Sequence, residues 1–242
     1  MKVLIKKITK KLIKLIKLIY PNQLSFITPY NYVQNISEFN VHKYIGCNIN
    51  DIKNWCIVGG HLAYEIKNIK KNYPKSKITV FECSKRYIKQ LQNNWLNDEN
   101  VTIVNKAVSR KCGISKFYET NLDGSGSLLK LDKAHIKDYG SSAAEVFEVE
   151  TITLDIYYKN KKLDILQLDV QGAEKLVLEG AYKILKKVKA IFIETSVNKG
   201  FYKGQSTFDN LYKLLSKRGF KIALLGADFN LTGNALFVRH NL

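Results

Sequence analysis

The sequence predicts an α/β fold with a mostly parallel, seven-stranded sheet that ends in an antiparallel hairpin. From residue 54 onward, short apolar runs typical of buried strands alternate with amphipathic helical patterns. Repeated strand–helix units place a parallel sheet between helices on both faces. The last two apolar runs have no helical pattern between them, and this predicts that they pair as the hairpin.

The individual elements follow from these runs in chain order. Strands are predicted at residues 55–58, 77–81, 101–104, 163–168, 190–193, 221–225 and 235–239. Helices are predicted at residues 62–72, 86–94, 174–185 and 207–218. Between the third and fourth strands, two further strand-like runs, 114–118 and 146–154, flank the glycine- and serine-rich segment 123–127. Insertions on the ligand side of such a sheet commonly shape substrate choice.

The composition of the 242-residue chain suits one globular domain with short extensions. Hydrophobic residues make up 45% of the chain and charged residues 25%, which is enough apolar material for a sizeable core. The formal net charge of +18 has two interpretations. Either the sequence simply favours lysine, or the protein is attracted to an anionic partner such as nucleic acid, phospholipid or an acidic glycan.

The four cysteines give no pattern of a metal site or a redox motif. They are scattered, without a CxxC pair or a neighbouring group of histidines, at Cys47, Cys56, Cys83 and Cys112. We therefore expect free thiols in a reducing compartment and no bound metal.

The first 20 residues predict a basic amphipathic helix that ends at Pro21. Its apolar stripe is interrupted by lysines throughout, which argues against a signal peptide or a membrane span. The helix has three interpretations: it lies on an anionic membrane surface, packs on the domain, or self-associates. We expect a cytoplasmic protein with this helix at residues 1–20, an extension at 21–53 and the main domain at 54–242. In the first interpretation, residues 1–20 make a peripheral contact with the membrane.

Two landmarks at predicted strand ends favour a nucleoside-containing cofactor. Val58, Gly59, Gly60 and His61 follow the first strand, where glycines let the backbone turn tightly and approach a ligand. Glu82 ends the second strand roughly twenty residues later, where a carboxylate can accept hydrogen bonds from both ribose hydroxyls. The full spacing of a dinucleotide-binding glycine motif is missing, and so is a phosphate-binding lysine.

A third landmark follows the fourth strand. Asp169 would lie at the mouth of the sheet, and Glu174 would begin the next helix. Two carboxylates near a cofactor can orient a hydroxyl group and take its proton. In the alternative interpretation, Asp169 only caps the helix and Glu174 only complements its dipole.

Several of these segments resemble the FkbM methyltransferase family. The most specific is the run from Asp169 to Glu174, which reads DVQGAE and is similar to the signature segment of the family. Val80–Glu82 resembles its ribose-binding strand, and residues 105–109 resemble the loop that lies by the adenine. Residues 124–129 and 149–155 resemble the segments that follow, so that the resemblance spans about residues 54–239.

The resemblance implies a Rossmann-like class I methyltransferase fold that binds S-adenosylmethionine and methylates a sugar hydroxyl of a glycan, glycolipid or glycosylated metabolite. The cofactor contacts are expected at Val58, Gly59, Gly60, His61, Glu82, Cys83, Asn105, Ala107 and Asp169. As the base that accepts the hydroxyl proton, we expect Asp169 or Glu174, with His61 as a third candidate.

The chain departs from the family pattern at three positions. Ile57 replaces an acidic residue that helps to hold the methionine end of the cofactor, Ala63 replaces a glycine, and Cys83 replaces a proline. A carboxylate bound to an ammonium group is worth about 1.5–3 kcal/mol. Its loss at Ile57 would weaken cofactor binding roughly ten- to a hundredfold unless another residue compensates.

Two other functions remain open from the sequence. The net charge of +18, with aromatic residues among lysines at Tyr157, Tyr158 and 201–203, suggests RNA methylation, although no recognised RNA-binding module is present. The departures at Ile57 and Ala63 suggest instead a non-catalytic binding module that keeps the fold.

Overall fold

The computed structural model describes residues 40–133, 136, 140–196, 201–227 and 232–240. The helix predicted over residues 1–20 lies outside this part of the chain, as do residues 21–39 of the extension. The division into residues 1–20, 21–53 and 54–242 therefore stays a prediction. None of the helices in the described ranges has the length and hydrophobicity needed to cross a bilayer.

The main sheet confirms the predicted architecture. Its strands are β1 (Asn54–Val58), β2 (Lys77–Phe81), β3 (Val101–Val104), β7 (Ile165–Leu168), β8 (Ala190–Ser196), β9 (Phe220–Ala227) and β10 (Thr232–Arg239). Their order is β3-β2-β1-β7-β8-β10-β9. The first five strands are parallel to one another, and β10 is antiparallel to both β8 and β9. The neighbouring strands β2, β1 and β7 therefore all end on the same side of the sheet, near its middle.

The insertion between β3 and β7 forms a second sheet. Its strands are β4 (Ala107–Val108), β5 (Gly113–Thr120) and β6 (Ala143–Ile152). The predicted runs 114–118 and 146–154 correspond to β5 and β6, which pair antiparallel, whereas the two-residue β4 was not predicted. The second run ends at residue 152, because the hydroxyl of Thr153 accepts a hydrogen bond from the Ile156 N–H (3.2 Å) and starts a helix there.

The helices are shorter than the periodicity predicts. They are α1 (Val41–Ile45), α2 (Glu65–Asn72), α3 (Ile88–Trp95), α4 (Leu154–Tyr157), α5 (Glu174–Glu179) and α6 (Phe208–Ser216). The largest difference is in α5, which was expected to continue to residue 185. Beyond it, the Asp155 carboxylate accepts hydrogen bonds from the N–H groups of Lys183 and Ile184, both at 2.8 Å, and the chain bends into the 3-10 turn Ile184–Lys186.

Apolar side chains cover both faces of the main sheet. Along β1, Cys56 and Val58 belong to one buried cluster, while Trp55 and Ile57 belong to the cluster on the other face. Such two-sided burial is expected of a central parallel strand covered by helices. In α1, Val41 is fully buried in the second cluster, so this part of the extension packs on the sheet. The four cysteines are free thiols.

Candidate functional site

A cavity of about 420 Å³ opens at the carboxyl ends of β1, β2 and β7, a size in the range of small-molecule sites. Eight of the predicted site residues line it: Val58, Gly59, Gly60, His61, Glu82, Cys83, Ala107 and Asp169. The other two, Asn105 and Glu174, are not among the lining residues, although Lys106 and Ala173 beside them are. The remaining walls come from α2, from the loop before α3 and from the second sheet.

The glycine turn after β1 is held against two neighbouring strands. A Cβ atom at Gly59 would lie 1.7 Å from the carbonyl oxygen of Asp169, and one at Gly60 would lie 2.2 Å from Val80 Cγ1. The N–H groups of both glycines donate to the carbonyl of Phe81 at 3.0 and 3.1 Å. The next turn brings His61 to a φ of 48°, a left-handed conformation that is uncommon outside glycine.

Glu82 is a buried carboxylate fixed at the cavity wall. Its Oε2 accepts a hydrogen bond from the His61 N–H (2.7 Å), and its Oε1 accepts one from the Ser84 N–H (2.6 Å). Burial raises the pKa of Glu82, and these N–H donors oppose the rise by stabilising the charge. Each oxygen keeps further acceptor capacity, which suits a vicinal diol such as that of ribose.

Glu119 on β5 is a second buried carboxylate in the cavity and was not predicted. The Ser84 hydroxyl donates to its Oε2, while its Oε1 has no hydrogen-bond partner in the described part of the chain. An acceptor left unpaired in a buried position is costly, which indicates that a ligand donor completes it. Alternation along β5 could have indicated the position, because Phe117 and Glu119 lie on the same face of the strand and both line the cavity.

The cavity is acidic although the chain as a whole is strongly basic. Within the described residues, five carboxylates line it, at Glu65, Glu82, Glu119, Asp123 and Asp169. Lys106 is the lysine among the lining residues, and the formal charge of the chain is +18. This arrangement favours a ligand that carries positive charge and hydrogen-bond donors.

The loop after β5 covers one side of the cavity and is held there by hydrogen bonds to Tyr87, which precedes α3. The Tyr87 hydroxyl donates to Asp123 Oδ1 (2.8 Å) and accepts from the Gly124 N–H (2.9 Å). The His61 ring meets the Tyr87 ring edge-on at 4.2 Å, and its Nε2 lies 3.4 Å from Asp123. The hydrogen bond from Tyr87 is the main cause of a lowered pKa of Asp123. His61 therefore lies between the glycine turn and this covering loop.

Asp169 stands at the cavity mouth, oriented by an amide. Gln171 Nε2 donates to Asp169 Oδ1 (2.7 Å) and to Glu194 Oε2 on β8 (3.0 Å). The Tyr202 hydroxyl donates to Gln171 Oε1 (3.1 Å), which fixes the amide from its other side. Asp169 is exposed, so it can meet a substrate hydroxyl.

Glu174 lies beneath this turn rather than at the cavity surface. Its side chain is 2% exposed, and its Oε1 accepts hydrogen bonds from the N–H groups of Val170 (3.3 Å) and Gly172 (3.1 Å). Burial raises the pKa of Glu174 to about 7. This position differs from the expectation that Glu174 faces a substrate. The carboxyl group instead holds the turn that carries Asp169 and Gln171.

The arrangement can hold a cationic nucleoside with an acceptor hydroxyl beside it. Glu82 offers the diol contact, the glycine turn allows close approach, and Asp169 is available to take a proton. Among the described residues, no group of three or more His, Cys, Asp or Glu side chains is arranged to hold a metal ion.

Comparison with known proteins gives a family match. The model of the methyltransferase FkbM domain matches residues 58–222. The 2-O-methyltransferase NoeI of Sinorhizobium fredii is 28% identical over 153 residues, which are 59% of this chain and 62% of that protein. The crystal structure of methyltransferase FkbM from Methylobacillus flagellatus superposes with a TM-score of 0.56 at 12% identity, covering 86% of this chain.

The chain spans about three fifths of NoeI (62%) and about half of the Methylobacillus protein (49%). At 12% identity, the structural likeness concerns the fold alone.

We predict that Glu174→Gln flattens the pH dependence of stability. Because burial raises the Glu174 pKa from the ordinary 4.5 to about 7, the folded state holds its proton more tightly than the unfolded state. The protonated Glu174 therefore adds up to about 3 kcal/mol to the free energy of unfolding. This stabilisation is complete below pH 4.5 and is lost as the pH rises through 7. Urea unfolding at pH 5 and pH 8 measures it. Glu179→Gln in the same helix is the control. The prediction would be contradicted if the free energy of unfolding changed by the same amount between pH 5 and pH 8 in Glu174→Gln and in the wild type.

We predict that Tyr87→Phe loosens the covering loop without disturbing the core. The change removes one hydrogen bond donated to Asp123 and two accepted from Gly124 and Arg86, each worth about 0.5–1.5 kcal/mol. The amide of Gly124 should therefore exchange with deuterium roughly tenfold faster or more, as measured by NMR or mass spectrometry. Tyr182→Phe, at an exposed tyrosine away from the loop, is the control. Unchanged exchange at Gly124 would mean that the hydroxyl does not hold the loop.

Proposed function

The chain belongs to the FkbM methyltransferase family, and from this premise we propose that it transfers the methyl group of S-adenosylmethionine to a sugar hydroxyl. The family match extends over residues 58–222, which include every cavity-lining residue proposed to bind the cofactor or accept a proton. The name of NoeI, a 2-O-methyltransferase, supports an oxygen as the acceptor atom. The sugar, as part of a glycan, glycolipid or glycosylated metabolite, follows from the family resemblance.

The observation that carries the proposal is the fixed Glu82 carboxylate beside the glycine turn. Two backbone N–H groups hold its oxygens in the cavity before any ligand arrives, so little side-chain freedom is lost on binding. We propose that Glu82 accepts the ribose hydroxyls of the cofactor. The apolar side chains of Ala107, Phe117 and Leu128 form a slot beside it that suits the purine.

The acidic lining supports the same cofactor. S-adenosylmethionine supplies a methyl group on a positively charged sulfur atom, which makes the methyl carbon electrophilic. The carboxylates around the cavity favour that charge over a neutral ligand of the same shape. Cys83, beside Glu82, lines the cavity and presents a small side chain on the purine side.

The protein's own part in the reaction is alignment and removal of one proton. We assign the base to Asp169, because it is exposed at the cavity mouth and its carboxylate is oriented by Gln171. His61 is the second candidate, since its ring lies between the cavity and Asp123. Glu174 acts through the turn that it holds.

The predicted cellular setting remains part of the proposal. The residues expected to contact an anionic membrane, 1–20, lie outside the described part, so this contact and a cytoplasmic location stay predictions. The expected partner is a hydroxyl-bearing small molecule or glycan. RNA methylation and a non-catalytic binding module remain the alternatives that the following experiments separate.

The first experiment is calorimetric titration of S-adenosylmethionine and S-adenosylhomocysteine into the wild type and Glu82→Gln. Loss of the charge-assisted contact should weaken binding roughly tenfold or more. Glu99→Gln, an exposed glutamate away from the cavity, is the control for the change in net charge. Absence of wild-type binding at millimolar cofactor would refute the proposal and favour the binding module.

The second experiment measures methyl transfer from radiolabelled cofactor to a panel of glycosides and to RNA. Asp169→Asn should lower kcat at saturating cofactor by about 10²–10⁴-fold, the usual contribution of a general base. Asp209→Asn on α6 is the matched control, since its carboxylate pairs with Lys213 at 2.7 Å and it is not among the cavity-lining residues. Labelling of RNA instead of glycosides would reject the sugar acceptor, and full activity of Asp169→Asn would reject the base.

A further inference from the structure

A group of hydrogen-bond acceptors closes the end of the cavity beyond the glycine turn. Glu65, in the first turn of α2, lines this end together with Asp169. Gln167 on β7 donates from its Nε2 to Glu65 Oε1 at 3.2 Å. The Gln167 side chain is 94% buried (6% exposed), and its Oε1 has no hydrogen-bond partner among the described residues. A buried amide oxygen without a donor, next to a carboxylate at a cavity wall, indicates a missing donor.

The electrostatics of this end call for a cation. Burial is the main cause of the raised pKa of Glu65, and the negative charge of Asp169 raises it further. Lys106, the lysine that lines the cavity, belongs to the loop between β3 and β4, two strands away in the sheet order. A protonated amine has three N–H donors and would satisfy Glu65 and Asp169 at once, while Gln167, which is not among the lining residues, orients the Glu65 carboxylate through its N–H donor.

The order of strands says which part of a cofactor reaches this end. Ala107 and the apolar slot lie on the β3 side, Glu82 ends β2, and Glu65 and Asp169 lie by β1 and β7. A nucleoside with its base on the β3 side and its ribose at Glu82 extends its 5′ substituent across β1. In S-adenosylmethionine this substituent is the amino-acid chain.

We propose that Glu65, oriented by the Gln167 amide, binds the α-amino group of the cofactor's amino-acid chain, with Asp169 as the second acceptor. This inference rests on the proposed function. It also explains the departure at Ile57, which pairs in register with Gln167 across β1 and β7. The negative charge missing from β1 at that position is supplied from α2, and Gln167 connects the two positions.

The test compares ligands that differ in the amino-acid chain. Wild type, Glu65→Gln and the control Glu99→Gln are titrated with S-adenosylhomocysteine, with its analogue that lacks only the amino group, and with 5′-methylthioadenosine. Glu65→Gln should weaken S-adenosylhomocysteine roughly ten- to a hundredfold, as expected for a lost charge-assisted contact. It should leave the other two ligands unchanged, and Glu99→Gln should affect none of them.

Gln167→Met provides a second variant, because it keeps the buried volume and removes the N–H donor that orients Glu65. It should show the same selective loss, and unchanged binding of 5′-methylthioadenosine proves that the site is folded. Equal weakening of all three ligands by Glu65→Gln, or no weakening, would overturn the assignment and leave the proposed function standing. Failure of the wild type to bind any of the three would overturn both.

Discussion

The backbone of Gly59 passes so close to the carbonyl of Asp169 that a Cβ atom at position 59 would lie 1.7 Å from that oxygen. One step earlier, the Asp169 N–H donates to the Val58 carbonyl at 3.0 Å, so the last hydrogen bond between β1 and β7 runs directly into this approach. The backbone segments that follow β1 and β7 can therefore leave the sheet side by side. The turn that carries His61 and the turn that carries Asp169 both take their position from this junction, and so does the cavity between them.

The charged side chains that line the cavity are mainly acidic, although the chain as a whole is strongly basic. In the part of the chain that the structure describes, five carboxylates and one lysine, Lys106, line the cavity, whereas the formal net charge of the chain is +18. Each buried carboxylate is partly compensated by N–H or hydroxyl donors, as at Glu82 and Glu119, so the cost of burying it is limited. The acceptor capacity that remains is what a cationic nucleoside cofactor would use. The same arrangement makes neutral or anionic ligands poorer competitors.

The second sheet turns an open edge of the main sheet into an enclosed site. β5 contributes Phe117 and Glu119 to the wall, and the loop that follows brings Asp123 and Gly124 onto the Tyr87 hydroxyl. Without the insertion, the same strand ends would leave the Glu82 side of the cavity open to water. The insertion therefore supplies the enclosure, whereas the main sheet supplies the Glu82 carboxylate and the proposed base, Asp169.

Local pattern alone predicted the succession of strands and helices along the chain, the hairpin, and the glycine turn, Glu82 and Asp169 at strand ends. These features depend on residues close together in the chain, and the parallel topology then brings the strand ends together. The order of the strands across the sheet came only from the tertiary structure. Tertiary structure decided that Glu174 lies beneath its turn, that α5 stops at Glu179, that Glu65 and Glu119 line the cavity, and that Gln167 contacts Glu65. A side chain's direction at a helix start, and its partner more than a hundred residues away, as for Gln167 and Glu65, depend on how whole elements pack, which no local pattern contains.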